Sequence, residues 1–258
     1  MTHQRFRLSD STRNSIAAVR SAGLLWLVAG GVVPLYGQLR TVPVCLEKKV
    51  AQVSSIAIVP FRFDSYHLTA GGIREYNKSM SIAAQRQVGR QVERMLRDKG
   101  YVVTSIPDDR SHHGRWARMR HFYSVVSSQI QRNVFGNGRF PFAERTFAYS
   151  VPPISDSLDG SAADAFLFID GFDDRATRKR EKRMVAAAVG AALTGIYVSS
   201  SVSADRTFAS CALVNRWGEI IWYFLYTDTG KIDMAQDGDC ETFIGRLLDR
   251  FGKRQVQP

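Results

Sequence analysis

Asp170, Asp173 and Asp174 follow an apolar run, the place where carboxylates often act in α/β enzymes. Two carboxylates with split pKa values can divide general acid and base work. Arg175, Arg178, Lys179 and Arg180 come directly after them, so plain charge pairing is the better reading. Asp170 remains the centre of an alternative, an enzyme whose active site is assembled from dispersed residues. His112, His113 and His121 lie in one basic stretch. A metal site wants a fuller ligand set, such as histidines at i and i+4 with an acid, and adjacent histidines cannot both face one ion from a helix. They read as surface residues. Ala70-Gly71-Gly72 lacks the spacing of a phosphate-binding loop and reads as a turn, and no serine sits in a nucleophile elbow. The expectation is no catalytic residue, no metal ligand and no cofactor.

Cys45, Cys211 and Cys240 are the only cysteines, with no C-x-x-C pair. An oxidising compartment would permit a Cys211–Cys240 disulfide; buried free thiols are the plainer reading. The stretch Arg115-Trp116-Ala117-Arg118-Met119-Arg120-His121-Phe122-Tyr123 mixes bases and aromatics, as surfaces that stack single-stranded nucleic acid do. Trp116, Met119 and Tyr123, however, recur at helical spacing and read as a core stripe, with the arginines as its wet face. A basic nucleic-acid-binding module is therefore only a second alternative, and no specific nucleic acid is expected.

The chain has 258 residues and a formal net charge of +11. Five arginines against Asp10 give +4 over residues 1–40, which leaves +7 on the body. That excess attracts anionic surfaces only non-specifically. Residues 22–36 run without a charge, and Arg13 and Arg20 precede them. A basic region followed by a short apolar run is the signal-peptide pattern. Gly30, Gly31, Pro34 and the short length favour a signal peptide over a lasting span, which needs about 20 apolar residues. Residues 1–40 are expected to be a signal peptide or N-terminal membrane anchor. Lipidation at Cys45 fits poorly, because Val44 stands where a small residue is wanted and Arg40 interrupts the approach.

The body, residues 50–252, reads as a single α/β domain. Ser55 to Phe61 is a short β-branched run closed by proline, a buried strand. Residues 64–77 read as a loop. Ser79 to Lys99 is an amphipathic helix, with Ser79 or Ser81 as N-cap and Gly100 as its stop. Tyr101 to Ile106 is a second strand, so the unit is a parallel β-α-β crossover. Trp116, Met119, Tyr123, Val126 and Ile130 mark another helix. The region from about 107 to 160 holds an irregular insertion. Ala165 to Asp170 is a third strand, and 173–183 is a charged stretch. Met184 to Val198 is rich in Ala and Gly: a buried helix or apolar crossover is the bland reading, a membrane-contacting segment the sharp one. Thr207–Asn215 and Glu219–Tyr226 form a hairpin around Asn215-Arg216-Trp217-Gly218. Both faces of its second strand are apolar, so both should be covered. A helix over about 241–251 ends the domain. The fold class is α/β (α+β), a mixed β-sheet with one crossover, a C-terminal hairpin and flanking helices.

Several strings resemble the periplasmic lipoprotein group that includes the curli-secretion-channel-like (CsgG-like) families, with a TolB N-terminal-like fold. Ile56-Ala57-Ile58-Val59-Pro60 looks like their first strand, and Leu96-Arg97-Asp98-Lys99-Gly100-Tyr101 like their helix-to-strand junction. Ala163-Asp164-Ala165-Phe166-Leu167 resembles their entry to a middle strand, and residues 212–222 their hairpin. The chain lacks a proper lipobox and evident channel-forming strands. The resemblance implies an envelope location, periplasmic or membrane-associated, and a non-enzymatic assembly or accessory role. Expected partners are other envelope proteins, the membrane through the N-terminal segment, and further copies of the chain in a homo-oligomer.

Overall fold

The computed structural model describes residues 44–107, 113–135, 147–154, 163–194 and 205–252. In chain order the elements are β1 (Val44–Cys45), α1 (Glu47–Val50), β2 (Ser55–Ile58), β3 (Arg62–Leu68), β4 (Arg74–Tyr76), α2 (Lys78–Asp98), β5 (Val102–Ser105), α3 (His113–Ile130) with a π-turn over Gln131–Phe135, β6 (Ala165–Ala176), α4 (Arg178–Thr194), β7 (Arg206–Asn215), β8 (Ile220–Asp228) and α5 (Asp237–Leu248). They form the mixed α/β fold that the sequence predicts.

The long strand β6 organises the sheet. One side pairs antiparallel with β7 along nearly its whole length, from Ala165↔Asn215 to Asp174↔Arg206. Its other side meets two strands in succession. β2 runs parallel to the first half, Ile56↔Ala165 to Ile58↔Leu167, and β3 to the second, Arg62↔Asp170 to Leu68↔Ala176. Val59, Pro60 and Phe61 separate β2 from β3, where the missing N–H of Pro60 interrupts the ladder. The sheet thus has a bottom half, β1-β8-β7-β6-β2-β5, and a top half in which β4 and β3 continue from β6.

Side-chain alternation sends the bottom half's apolar residues to both faces. One face carries Ile56, Ile58, Leu167, Cys211, Leu213 and Phe224 against Val88, Val92 and Leu96 of α2 and Phe243, Ile244 and Leu247 of α5. The other carries Ala57, Phe166, Phe168, Ala212, Tyr223 and Leu225 against Trp116, Met119, Tyr123 and Ile130 of α3. β8 is buried on both faces, as its unbroken apolar run requires.

Three local expectations are corrected. Residues 64–77 are not a loop: β3 and β4 form an antiparallel hairpin there, Tyr66↔Tyr76 to Leu68↔Arg74. Only the turn between them, with Gly72 at φ 84°, is irregular. The polar pattern Arg-Phe-Asp-Ser-Tyr-His-Leu hides β3, because four of the seven residues it pairs with on β6, Asp170, Asp173, Asp174 and Arg175, are charged. The α2 N-cap is Asn77, whose side-chain oxygen accepts from the Met80 N–H at 3.1 Å. The charged stretch 173–183 divides: β6 extends to Ala176 and α4 begins at Arg178. Residues 1–40, expected to be a signal peptide or membrane anchor, and residues 195–198 lie outside the described residues.

Candidate functional site

The carboxylates singled out in the sequence sit in the top half of β6, and alternation distributes them between its faces. Asp173 is buried, accepting from Thr207 Oγ1 at 3.0 Å and from Arg175 Nε at 2.9 Å. Arg175 also pairs with Asp233. Burial raises the pKa of Asp173 despite the Arg175 guanidinium beside it, while hydrogen bonding to Arg175 holds Asp233 below the usual carboxylate range. Asp174, on the opposite face, binds Arg74 of β4: Nε at 2.8 Å and Nη2 at 2.7 Å. The same guanidinium lies 4.1 Å from the ring centre of Tyr66 and 4.6 Å from that of Phe172. Charge pairing is the role of these two acids, as expected. Arg74 was not legible as a partner, because a residue 100 positions away becomes a neighbour only once β4 folds back on β3.

Asp170 turns an edge to solvent beside Ser210 of β7. Its pKa is raised, first by partial desolvation and then by the Asp64 carboxylate. Beneath it lies a buried hydroxyl cluster. Ser210 Oγ is 3.3 Å from Tyr123 OH and 3.3 Å from Ser127 Oγ, and Ser127 Oγ is 2.9 Å from Tyr223 OH. Gln131 donates from Nε2 to Ser127 Oγ at 3.1 Å. Burial pushes the tyrosine pKa values up, so these hydroxyls stay protonated. They satisfy one another where α3 crosses the sheet, which is what buried polar groups require. No histidine joins them among the described residues.

The other candidates do not converge. His121 is exposed on α3 with its ring 6.5 Å from that of Phe122, His113 opens the same helix, and His112 lies outside the described residues. No group of three or more potential metal ligands exists among the described residues. Cys211 and Cys240 are free thiols buried in one core cluster. Burial raises both pKa values, that of Cys240 to about 12, so neither is a nucleophile at neutral pH. Cys45 is half-buried in β1, packed against the same core. Trp116, Met119 and Tyr123 are buried as the helical stripe predicts, so the basic–aromatic segment offers no stacking platform from them.

What does converge is apolar surface along one sheet edge. Among the described residues β5 ends the strand order of the bottom half, and β4 pairs only with β3 in the top half. Val102 and Ile106 donate inward to the carbonyls of Ser54 and Ile58, so the backbone groups of Val103 and Ser105 turn outward. Arg97 Nη2 reaches the Val103 carbonyl at 3.5 Å. Between the two strands, at the Pro60 break, lies a cleft of about 390 Å³ lined by Val59, Pro60, Phe61, Ile82 and Ile106, among others. Ile82 also lines the neighbouring cleft beside β4, with His67, Tyr76 and Asn77. Ile73, Tyr76, Ile82 and Val102, all large and exposed, follow this edge from top to bottom. Asp170 lines neither cleft.

The opposite edge ends in the two-residue strand β1. β1 pairs with β8 at Val44↔Tyr223 and Cys45↔Trp222. Next to it, residues 149–151 take up the end of β8: Ile220 N–H donates to the Tyr149 carbonyl at 3.0 Å and Val151 N–H to the Gly218 carbonyl at 2.8 Å. Part of the irregular insertion thus serves as an edge cover.

No protein family matches the chain, and no curated protein matches it. Among solved structures it is similar to the PelC dodecamer from Paraburkholderia phytofirmans, at 12% identity and a TM-score of 0.33, covering 79% of this chain and 90% of that one. A methionine variant of the same PelC dodecamer, in another crystal form, gives 11% identity and a TM-score of 0.34 over 79% of this chain and 91% of that one. Likeness at this level does not carry a function from one chain to another.

Proposed function

We propose that the chain is a non-enzymatic protein of the bacterial cell envelope, exported or anchored by its N-terminal segment. It acts by protein–protein contact as an assembly or accessory factor of the kind found in the CsgG-like group. The observation that carries the contact role is the β5 edge, beside which no described strand lies. Val102-Val103-Thr104-Ser105 is an uncharged run of good strand formers, without the lysine or proline that usually blunts an exposed edge. The apolar cleft at Pro60 is the adjoining pocket for a side chain of an added strand. The occupant proposed is an extended segment of an envelope partner. The basic arginines of residues 5–20 ahead of the uncharged run 22–36 support the location.

Replacing Val102 and Thr104 together by lysine charges the edge while leaving the inward hydrogen bonds intact. A photoreactive residue at 102 in the otherwise unchanged chain should cross-link to one discrete envelope protein, and V102K/T104K should lose that partner in co-purification. Retention of the partner by the double variant would refute the edge. A cross-link between two copies, with light scattering that shows an oligomer dispersed by V102K/T104K, would replace the heterologous partner by the chain itself. For the location, fractionation with N-terminal mapping should place the chain in the membrane or periplasm. A soluble cytoplasmic product that keeps Met1 would overturn it.

A further inference from the structure

We infer that the top end of the sheet, built from the β3–β4 turn and helix α4, is a second lipid-contacting surface, separate from the N-terminal segment and selective for anionic headgroups. Helix α4 leaves the top of β6 one residue after the strand ends. Its first turns carry Arg178, Lys179, Lys182 and Arg183, all exposed, and the one acid among them, Glu181, is paired with Lys231. Arg180 is buried instead and anchors the helix: its Nη1 donates to the Thr69 carbonyl of the β3–β4 turn at 3.2 Å. Arg183 Nη1 reaches the next carbonyl, Ala70, at 3.5 Å. These bonds tie the turn to the helix, and each contributes a large exposed apolar side chain: Ile73 is 67% exposed and Val185 64%.

The sequence of α4 divides along its axis. Charge ends at Arg183, and residues 184–194 carry none. A purely phosphate-binding surface, such as a nucleic-acid groove, has use for the cations but not for the apolar half that follows. A bilayer accepts both: cations sit with anionic headgroups, and the exposed Ile73 and Val185 enter the boundary of the acyl chains. At a rise of 1.5 Å per residue the described part of α4 is about 25 Å long, and its first six residues, Arg178 to Arg183, are all charged. No described helix is long and apolar enough to cross a membrane. The contact is therefore interfacial.

The test reads the helix locally, so that anchoring by the N-terminal segment does not mask it. Cys211 and Cys240 are buried, so in the Cys45→Ser background of the full chain Val185→Cys offers one accessible thiol for an environment-sensitive fluorophore. On vesicles containing phosphatidylglycerol the label should brighten and shift to the blue. Vesicles of phosphatidylcholine alone, and a single-stranded oligonucleotide, should leave it unchanged. Each cation near an anionic surface is worth on the order of fivefold in partitioning, so Lys179→Glu with Lys182→Glu should raise the phosphatidylglycerol needed by at least about tenfold. Ile73→Asp, in the turn and outside the core, should weaken the response without touching a cation. An unchanged label on phosphatidylglycerol vesicles that carry the chain in flotation would overturn the inference. So would an equal response on phosphatidylcholine, or a response to the oligonucleotide.

Discussion

The two halves of β6 solve one problem in opposite ways. Ala165-Phe166-Leu167-Phe168-Ile169 is buried between helices on both faces, with partners that are almost all apolar. Asp170-Gly171-Phe172-Asp173-Asp174-Arg175-Ala176 continues the same ladder with charges on both faces. The first half is held by area removed from water, a term without direction. The second is held by paired groups, Asp173–Arg175–Asp233 on one face and Asp174–Arg74 on the other, whose net worth depends on both members being present. Gly171 sits at the junction: a Cβ there would lie 2.6 Å from the Phe63 ring and 2.7 Å from the Phe208 carbonyl oxygen. A strand can thus be continuous in its backbone while its stability changes from shape-dependent to charge-dependent midway.

The largest effect should come from shape at the bottom. Gly218 has φ 84°, and a Cβ there would overlap the Val151 carbonyl oxygen, so Gly218→Ala must displace both the hairpin turn and its edge cover. It should cost about 3–4 kcal/mol in urea unfolding, with little dependence on pH between 5 and 8. A loss below about 1 kcal/mol would mean that residues 149–151 contribute nothing to the bottom half.

Charge at the top should come next. Arg175→Met leaves the Asp173 carboxylate buried without its cation, at about 3 kcal/mol at pH 7. The folded pKa of Asp173 is already raised by burial and rises further without Arg175. A carboxyl whose folded pKa lies above the unfolded value destabilises when ionised and recovers on protonation. The penalty should therefore shrink as pH falls through that raised folded pKa. Unfolding curves at pH 7 and at about pH 4, near the unfolded carboxyl value, that show the same loss would contradict a charge-based top half.

The smallest effect sharpens the contrast, because it concerns a charge in the bottom half. Asp164 Oδ2 accepts from the backbone N–H groups of Ser54 and Ser55, at 3.0 and 2.9 Å, and from both hydroxyls. Burial works against ionisation, but these four donors hold the pKa at about 2. Asp164→Asn should cost about 1 kcal/mol at pH 7 after solvent screening is allowed for. The folded pKa lies below the unfolded value, so the advantage of the carboxylate is complete above pH 4 and disappears as pH falls towards 2. Thermal midpoints of the two proteins should converge over that interval.

Periodicity made the bottom half readable. The stripe Trp116, Met119, Tyr123, the run Ile56–Val59, the two-sided apolar pattern of β8 and the stop at Gly100 each follow from local spacing, and each is where the sequence predicts. The top half was opaque for an equally physical reason. β3 alternates Phe63 and Ser65 inward with Asp64 and Tyr66 outward, a pattern without a hydrophobic stripe, so residues 64–77 read as loop. The Asp173 and Asp174 pairing was anticipated, but only Arg175 among its partners could be named, since Arg74 and Asp233 are distant in the chain. The open edge could not be seen at all. Val102–Ser105 reads as a strand like any other until the topology shows that no described strand lies beyond it.

The amino-acid order alone determined the fold class, the buried faces of α2, α3 and β8, and the turn at Gly218, because each depends on neighbours a few residues apart. The tertiary structure decided which strand has an unpaired side, which acid meets which arginine, and which end gathers α4's cations beside Ile73. Those include contacts between segments 100 or more residues apart in the chain, and they exist only after the chain has closed the loops between them.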